Sequence, residues 1–446
     1  MLAGAVVVSS LAVDPPRGSA TWHELVATVK LAAPIAIAQF GFVALTLVDT
    51  AIVGKTSTTA LAGASIGRSL MFAFSSFGMG ISSAIEPLAS QAIAAHAPDR
   101  AWSSLLRTLV VNVWIFPAIV VLTFCTTALL PWFGVDAPTL VEVRRFLVGQ
   151  IPGMLLFPAF VAAKAFAQAH GRTIPAMVAS VVANGINWIA CTLLVRSYGT
   201  LGAGLAASLA AFVLFAGTMG PAWRLRATGP TQPPTYRRII GLGVPMGLQL
   251  LAEIGVFSVV SFLAARFGTT SVAAHQIALG LASFSFMGAL GVSGATAVRV
   301  GRAIGHGVSP RRAGLVGIAI GGGVMLASIV IFTMAPAWLV TLFTADAEVI
   351  RLGVPLVMLA AFFQFFDGMQ AVAGGALRGA GDVRFAFLAN LFCHWCIGLP
   401  ISLWLGFVCG WQTRGFWVGL SAGLIAVALA LTWRFFVVSG RVIQRV

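Results

Sequence analysis

Acidic side chains are scarce in this chain. There are 12 Asp and Glu in 446 residues, and charged residues of both signs make up only 9%. A soluble domain carries about 25% charged and roughly 45–50% apolar residues, against 59% hydrophobic residues here. That shortage excludes an ordinary soluble fold. The apolar content runs the whole length, so the chain reads as one integral membrane unit rather than two or three soluble domains. Cysteine is sparse too. Cys125, Cys191, Cys393, Cys396 and Cys409 are scattered in apolar context and form no disulfide framework. Cys393 and Cys396 frame a Cys-His-Trp-Cys run that superficially suggests metal or redox chemistry. No second pair lies nearby, and both are expected to be buried core residues. No basic region precedes the short apolar run near the N-terminus, which argues against a cleaved signal peptide. Residues 1–20 are expected to be a flexible segment. No phosphate-cradling loop is present, so ATP drive is not expected. A membrane-embedded enzyme would need clustered His, Ser-Lys or paired metal-ligand motifs within the apolar stretches, and none is convincing.

What is present is a series of long apolar stretches. A spanning helix needs about 20 mostly apolar residues. Gly, Pro and charge divide the chain into twelve such spans, at 25–53, 62–95, 102–130, 140–168, 173–195 and 200–224, then at 238–266, 272–304, 313–342, 349–377, 384–408 and 413–438. The predicted fold is an all-α integral membrane protein of twelve transmembrane helices. A polar break at 224–238 contains Arg224, Arg226, Pro230, Pro233, Pro234, Arg237 and Arg238. It divides the chain into a first six-helix half (21–224), a cytoplasmic linker (225–237) and a second six-helix half (238–446). The N-terminal segment, the even-numbered connections and the C-terminus, together with the span ends beside them, hold 19 of the 27 basic residues. The positive-inside rule then puts both termini in the cytoplasm. Basic loops against anionic lipid account for the net charge of +15 without a nucleic-acid partner.

The halves resemble each other at an offset of 211 residues. Pro34 pairs with Pro245, Thr58-Thr59 with Thr269-Thr270, and Ile66 with Ile277. Gly80, Ser82, Ala84, Ala92 and Ile93 match Gly291, Ser293, Ala295, Ala303 and Ile304. Further on the offset becomes 210, with Phe133, Asp136 and Gly171 matching Phe343, Asp346 and Gly381. Six is even, so the repeat is parallel, about an axis along the membrane normal. Duplicated halves around a central site are an architecture of secondary transporters, and they argue against a channel made by one chain.

Four acids sit within the apolar stretches: Asp49, Glu86, Glu253 and Asp367. An ionisable group at bilayer depth is costly and marks an ion, proton or substrate pathway by default. These acids break the repeat. Glu253 pairs with Phe42, Asp49 with Val260, and Asp367 with Phe157, so the halves are expected to do different jobs. Gln364 and Gln370 lie three residues either side of Asp367 and share its helix face. Gln249 lies one turn before Glu253. Asp49 has Thr46 and Thr50 beside it, which also suits a helix-bridging role. Glu86 precedes Pro87 and could simply satisfy freed backbone donors. His275 and Gln276 suit helix bridging better than ligand contact. Lys164, near the end of the fourth span, is expected to snorkel to the interface, and His394 to be packed.

Leu47-Val48-Asp49-Thr50 followed by Val53-Gly54 resembles the first-helix signature of the multidrug and toxic compound extrusion (MATE) family. Val272-Ala273-Ala274-His275-Gln276-Ile277-Ala278-Leu279 is similar to that family's eighth helix. Asp367-Gly368-Met369-Gln370, with Gly375-Ala376-Leu377-Arg378-Gly379-Ala380-Gly381-Asp382, resembles its tenth, and Ile397-Gly398-Leu399-Pro400 its eleventh. The second half most resembles the NorM-like branch. Glu86-Pro87-Leu88-Ala89-Ser90-Gln91-Ala92 is closer to a motif of eukaryotic members. The resemblance implies coupling roles for Glu253, Asp367 and Asp49, and a monomer. Two departures stand out. Phe363 occupies a place where some members have Tyr, and the Asn184–Asn187 spacing is three where NorM-like members show four.

These readings converge on an efflux antiporter in the plasma (inner) membrane. It would exchange small cationic organic molecules for protons, with sodium at Glu253 and Asp367 as the other candidate ion. Asp367 is expected to matter most. Phe, Trp and Met near these helices suit bulky planar cations. A related lipid-precursor flippase is the alternative. It would need a strongly basic cavity, whereas the intramembrane charges are mostly acidic.

Overall fold

The computed structural model describes residues 20–227, 229 and 233–445. Apart from Ala20, the N-terminal segment expected over 1–20 lies outside the described residues, as does part of the 225–237 linker. Among the described residues the fold is entirely helices and turns. The first half runs α1 (Ala20–Gly54), α2 (Thr58–Ser83) continuing as α3 (Ile85–Ala94), α4 (Pro98–Thr127), α5 (Ala137–Ala169), α6 (Ile174–Tyr198) and α7 (Thr200–Trp223). The second runs α8 (Tyr236–Ala264), α9 (Thr269–Gly305), α10 (Arg311–Met334) with a short α11 (Pro336–Thr341), α12 (Ala347–Ala380), α13 (Val383–Phe392) with α14 (Leu399–Leu403), and α15 (Gln412–Ser439). Among the described residues, eleven helical segments are long and apolar enough to cross a membrane. The twelfth span is α2 with α3, interrupted only at Ala84. Its limits, 58 and 94, fall 211 residues before those of α9, 269 and 305. The chain is thus an all-α integral membrane protein with twelve spans in two halves.

The same punctuation sets the same helices in each half. Asp136 and Asp346 stand at the N-caps of α5 and α12. Asp346 accepts from the backbone N–H groups of Glu348 and Val349 at 2.9 and 3.3 Å, which satisfies donors that a helix start leaves free. Gly171 and Gly381 follow the ends of these helices at φ of 76° and 81°, a left-handed conformation that glycine adopts without steric cost. The eleventh span differs from a plain helix. It contains π-helical turns at Cys393–Gly398 and Trp404–Val408 on either side of Pro400, whose missing N–H disturbs the regular ladder. Cys393 is buried there as expected, whereas Cys396 is exposed; both are free thiols. In a membrane span an exposed side chain faces lipid, so a thiol meets no polar cost there.

The halves meet where α1 packs on α9 and α2 packs on α8, a pair of contacts that the repeat exchanges. Small residues mark both crossings. A side chain on Gly80 would strike the backbone of Gly247, and one on Gly291 would strike Ala36. The 211-residue offset turns Gly80 into Gly291 and Ala36 into Gly247, so these are one contact made twice. Close backbone approach at small residues is how apolar helices gain packing in lipid, where the hydrophobic effect supplies little between them. The Gly80→Ala variant is therefore expected to lower the melting temperature of the detergent-solubilised protein. Gly185→Ala, where an added Cβ meets nothing within 4 Å, should hold or raise it, by up to roughly 1 kcal/mol from helix propensity. Thermal unfolding of the two variants side by side checks this; equal behaviour would remove the crossing from the set of stabilising contacts.

Candidate functional site

A cavity of about 750 Å³ lies between the halves, walled by α1, α2, α5 and α6 on one side and α8, α9 and α12 on the other. Glu253, Asp367, Gln249, Gln370, Gln276, Asn184, Glu86 and Phe363 all line it. Gln370 joins the two acids of the second half. Its Nε2 donates to Glu253 Oε1 at 3.2 Å and to Asp367 Oδ1 at 3.3 Å. Asp367 is buried, and Phe363 one turn before it packs edge-on against Phe257 and Trp417. No tyrosine oxygen stands there, so the oxygens at this point come from the carboxylates and neighbouring amides.

The opposite wall carries the counterparts of these residues. The offset of 210 in this region matches the helix starts, 137 and 347. It pairs Asp367 with Phe157 and Gln370 with Phe160, while Glu253 pairs with Phe42. All three phenylalanines line the cavity. Phe42 and Phe157 stack, with ring centroids 4.9 Å apart and planes at 26°. Phe160 continues the row 6.0 Å from Phe157. The acid cluster of one half thus faces an aromatic cluster built on the equivalent backbone of the other. One wall carries carboxylates and the other carries π faces, two kinds of group that can each interact with a cation.

Asp49 is placed elsewhere. It is buried and does not line the cavity. Asn187 Nδ2 donates to its Oδ1 at 2.6 Å, and Arg68 Nη2 lies 3.7 Å from Oδ2. Arg68 also donates to Thr50 Oγ1 at 2.9 Å. Asp49 is therefore held in a polar knot of α1, α2 and α6. The two asparagines separate accordingly: Asn187 belongs to this knot, and Asn184, which donates to the Gly41 and Ser180 carbonyls at 2.8 Å, belongs to the cavity.

His275 is fully buried and bridges three helices. Trp417 Nε1 donates to its Nδ1 at 3.2 Å, so Nε2 carries the proton and donates to Ser261 Oγ at 3.0 Å. The neighbouring Gln276 faces the cavity instead. Gln364 is buried away from the cavity lining and takes a hydrogen bond from Ser285 on α9. His394 is packed against Phe257. Glu86 forms an ion pair, where the sequence left open a role with freed backbone donors. Its Oε2 lies 3.1 Å from Arg378 Nε, across the two halves, and Arg378 also donates to Ser293 Oγ.

Lys164 corrects the sequence expectation. It does not reach for the interface but lines the cavity, with Nζ 3.4 Å from Gln39 Oε1 and 5.6 Å from the Phe160 ring centroid. Arg68, Arg378 and Gln39 were likewise not picked out from the sequence as site residues. A usable signal for Lys164 existed: it lies seven residues after Phe157, the Asp367 counterpart, and so on the same helix face.

Cross-half polar contacts gather at one end of the cavity. Arg299 grips Glu24 with two bonds, Gln91 Nε2 donates to the Gly379 carbonyl at 3.0 Å, and Arg302 Nη2 donates to the Ala169 carbonyl at 2.8 Å. No equivalent bond joins the halves at the other end among the described residues.

The family model described as MatE matches the chain twice, over residues 34–193 and 245–404; the two matches are themselves 211 residues apart. A probable multidrug resistance protein NorM of Deinococcus radiodurans is 33% identical over 445 residues, covering 94% of this chain and 97% of that protein. A multidrug resistance protein NorM of Burkholderia vietnamiensis is 33% identical over 453 residues, covering 95% and 96%. Among solved structures, a eukaryotic MATE transporter, AtDTX14, superimposes with a TM-score of 0.85 at 20% identity, over 95% of this chain and 100% of that one. A multidrug resistance MATE family transporter described in an outward-facing conformation gives 0.83 at 18%, over 94% and 97%. These structures share the fold.

The Asp49 knot yields a test. Removing one partner of a buried ion pair leaves an uncompensated charge, a loss of about 3–5 kcal/mol. Arg68→Ala is expected to lower the melting temperature sharply, and adding Asp49→Asn to recover part of the loss. Calorimetry of the single and double variants measures the recovery; none would mean that Arg68 acts through packing alone.

Proposed function

The chain belongs to the MatE family of multidrug efflux transporters, and from that premise we propose that it exports organic cations in exchange for protons. One observation carries this reading: Glu253 and Asp367, joined by Gln370, share a cavity between two repeated halves with the aromatic row Phe42, Phe157 and Phe160. A carboxyl in an apolar cavity resists ionising. It can hold a proton or attract a cation, and it cannot do both at once. Competition at such a site, combined with alternating access, is antiport. Each charge moving inward gains roughly 2.3 kcal/mol per 100 mV of membrane potential. Sodium is the second candidate ion, since carboxylate and amide oxygens suit a hard cation.

The excess of basic residues at the end that holds the cross-half contacts supports a cytoplasmic orientation of that end and of both termini, in the plasma (inner) membrane. The cavity is then sealed inward by the Glu24–Arg299, Gln91–Gly379 and Arg302–Ala169 contacts and faces outward. Inward opening would break these contacts and close the far end about the α1–α9 and α2–α8 crossings. Glu86–Arg378 lies on this seal, which gives the fourth acid a role in gating rather than in ion binding. Asp49, paired with Arg68, keeps a coupling role only where that pair loosens during the cycle. The lining holds three acids and two basic residues, one of which, Arg378, is neutralised by Glu86, so the strongly basic cavity of a flippase is not found. The transporter works without ATP and as a monomer.

The test is accumulation of a fluorescent organic cation in inside-out vesicles under a proton gradient, a sodium gradient or none. Asp367→Asn is expected to reduce gradient-driven accumulation at least tenfold, about 1.4 kcal/mol or more, and Glu253→Gln to do nearly as much. The gradient that drives uptake identifies the ion. Undiminished transport by both variants, with the protein present in the membrane, would overturn the assignment.

A further inference from the structure

A second pocket, of about 310 Å³, opens where α8 begins and α12 turns into α13. Arg237 and Arg238 line it from the first turn of α8, and Arg384 from the first turn of α13. Asp382 is the acid among the described lining residues, and it is held by Arg434, whose Nε donates to Oδ2 at 2.6 Å. Arg238 Nη2 donates to the Arg445 carbonyl at 3.0 Å, and the like charge of Arg100 acts on Arg238 through space. Arg237 and Arg384 are exposed, and neither enters an ion pair among the described residues. Like charges gathered this closely repel, and an anion between them relieves the repulsion. The first turn of α13 has no side-chain cap, so its free N–H groups add to the attraction for an anion.

The surroundings are those of a membrane interface. Arg107 Nη1 donates to the Pro234 carbonyl at 2.7 Å, and its guanidinium lies 4.9 Å from the Tyr236 ring centroid. Tyr236 in turn lies 4.7 Å from the ring of Trp114, which is exposed. Amphipathic rings of this kind sit at headgroup level. Arg384, Leu388 and Phe392 share one face of α13, and both apolar members are exposed. On α8, Ile240 and Leu248 are exposed beyond the arginines. Gly241 leaves open space between, since an added Cβ would meet nothing within 4 Å. The basic pocket thus continues into a carbon surface. A soluble anion would use only the first, whereas a phospholipid uses both.

We propose that this pocket binds the phosphodiester headgroup of an anionic phospholipid, held by Arg237, Arg238 and Arg384, with its acyl chains against the exposed apolar faces of α8 and α13. Guanidinium forks match phosphate oxygens with paired hydrogen bonds, and basic pockets between spanning helices recognise lipid headgroups. The site is separate from the central cavity and does not depend on the efflux reading. It lies beside the cross-half seal: Gly381, which lines the pocket, follows Arg378 and Gly379, the partners of Glu86 and Gln91.

Native mass spectrometry of the purified full-length protein, titrated with phosphatidylglycerol or with phosphatidylcholine of the same acyl chains, tests this. The wild type is expected to hold phosphatidylglycerol more tightly than phosphatidylcholine, a comparison that needs no variant. Arg237→Gln combined with Arg384→Gln is expected to weaken phosphatidylglycerol binding about tenfold or more and to leave phosphatidylcholine binding unchanged. Both side chains are exposed, so the melting temperature without added lipid should hold. Arg312→Gln removes an exposed basic residue at the same end but outside the pocket, and it is expected to change neither affinity. Equal wild-type affinity for the two lipids would overturn the site. So would a loss in Arg312→Gln as large as in the paired variant, which would mean diffuse attraction rather than a pocket. Displacement of phosphatidylglycerol by excess inorganic phosphate would overturn the lipid assignment in favour of a soluble anion.

Discussion

The cost of charge in a low-dielectric interior governs this protein. Inside the apolar spans each acid is matched by something specific. Asp49 has Arg68 and Asn187, Glu86 has Arg378, and Glu253 and Asp367 share Gln370. Each partner comes from a different helix than at least one member of its cluster, so satisfying the charge also fixes how the helices are arranged. Lys164, with Gln39 Oε1 3.4 Å away and the Glu86 charge acting on it through space, lines the cavity, where a mobile partner can reach it. Lipid offers no alternative, since an unpaired group there is several kcal/mol less stable.

A duplicated scaffold makes this placement useful. The helix crossings at Gly80–Gly247 and Ala36–Gly291 are equivalent contacts, and the caps at Asp136, Asp346, Gly171 and Gly381 set matching helix limits. On that frame the side chains diverge. Phe42, Phe157 and Phe160 stand where the other half has Glu253, Asp367 and Gln370. A symmetric backbone gives the halves matching helices, and asymmetric side chains let one wall carry charge while the other carries flat apolar surface. Chemistry changes with single side chains; the crossing geometry depends on many small residues at once.

Much of this was legible in the chain itself. The twelve spans follow from apolar length, and each predicted span overlaps an observed one. The offset pairs Gly80 with Gly291 and Gly171 with Gly381 because tight packing and left-handed caps admit few residue types. Asp367 and Gln370 were legible as neighbours because three-residue spacing keeps a helix face, and Glu253 stood out because acid is costly at bilayer depth; only the fold brings Glu253 to Gln370. Lys164 was misplaced because distance from a helix end suggested snorkelling, whereas its rotation about the helix axis turned it inward. His275 and Gln276 show the same limit: neighbours in sequence, one bridges helices and the other lines the cavity.

The sequence by itself determined the helices, their number, their duplication and the scarcity of charge that makes each acid informative. These depend on composition and local periodicity, which need no knowledge of neighbours. Only the tertiary structure decided which acid meets which base, that Asp49 is withdrawn from the cavity while Glu86 bridges the halves, and that an acidic wall faces an aromatic one. Those outcomes depend on the packing of helices far apart in the chain, such as Glu86 with Arg378 or Gln91 with Gly379. A shift of one residue in helix phase turns a side chain by about 100°, enough to move it from the cavity to a neighbouring helix.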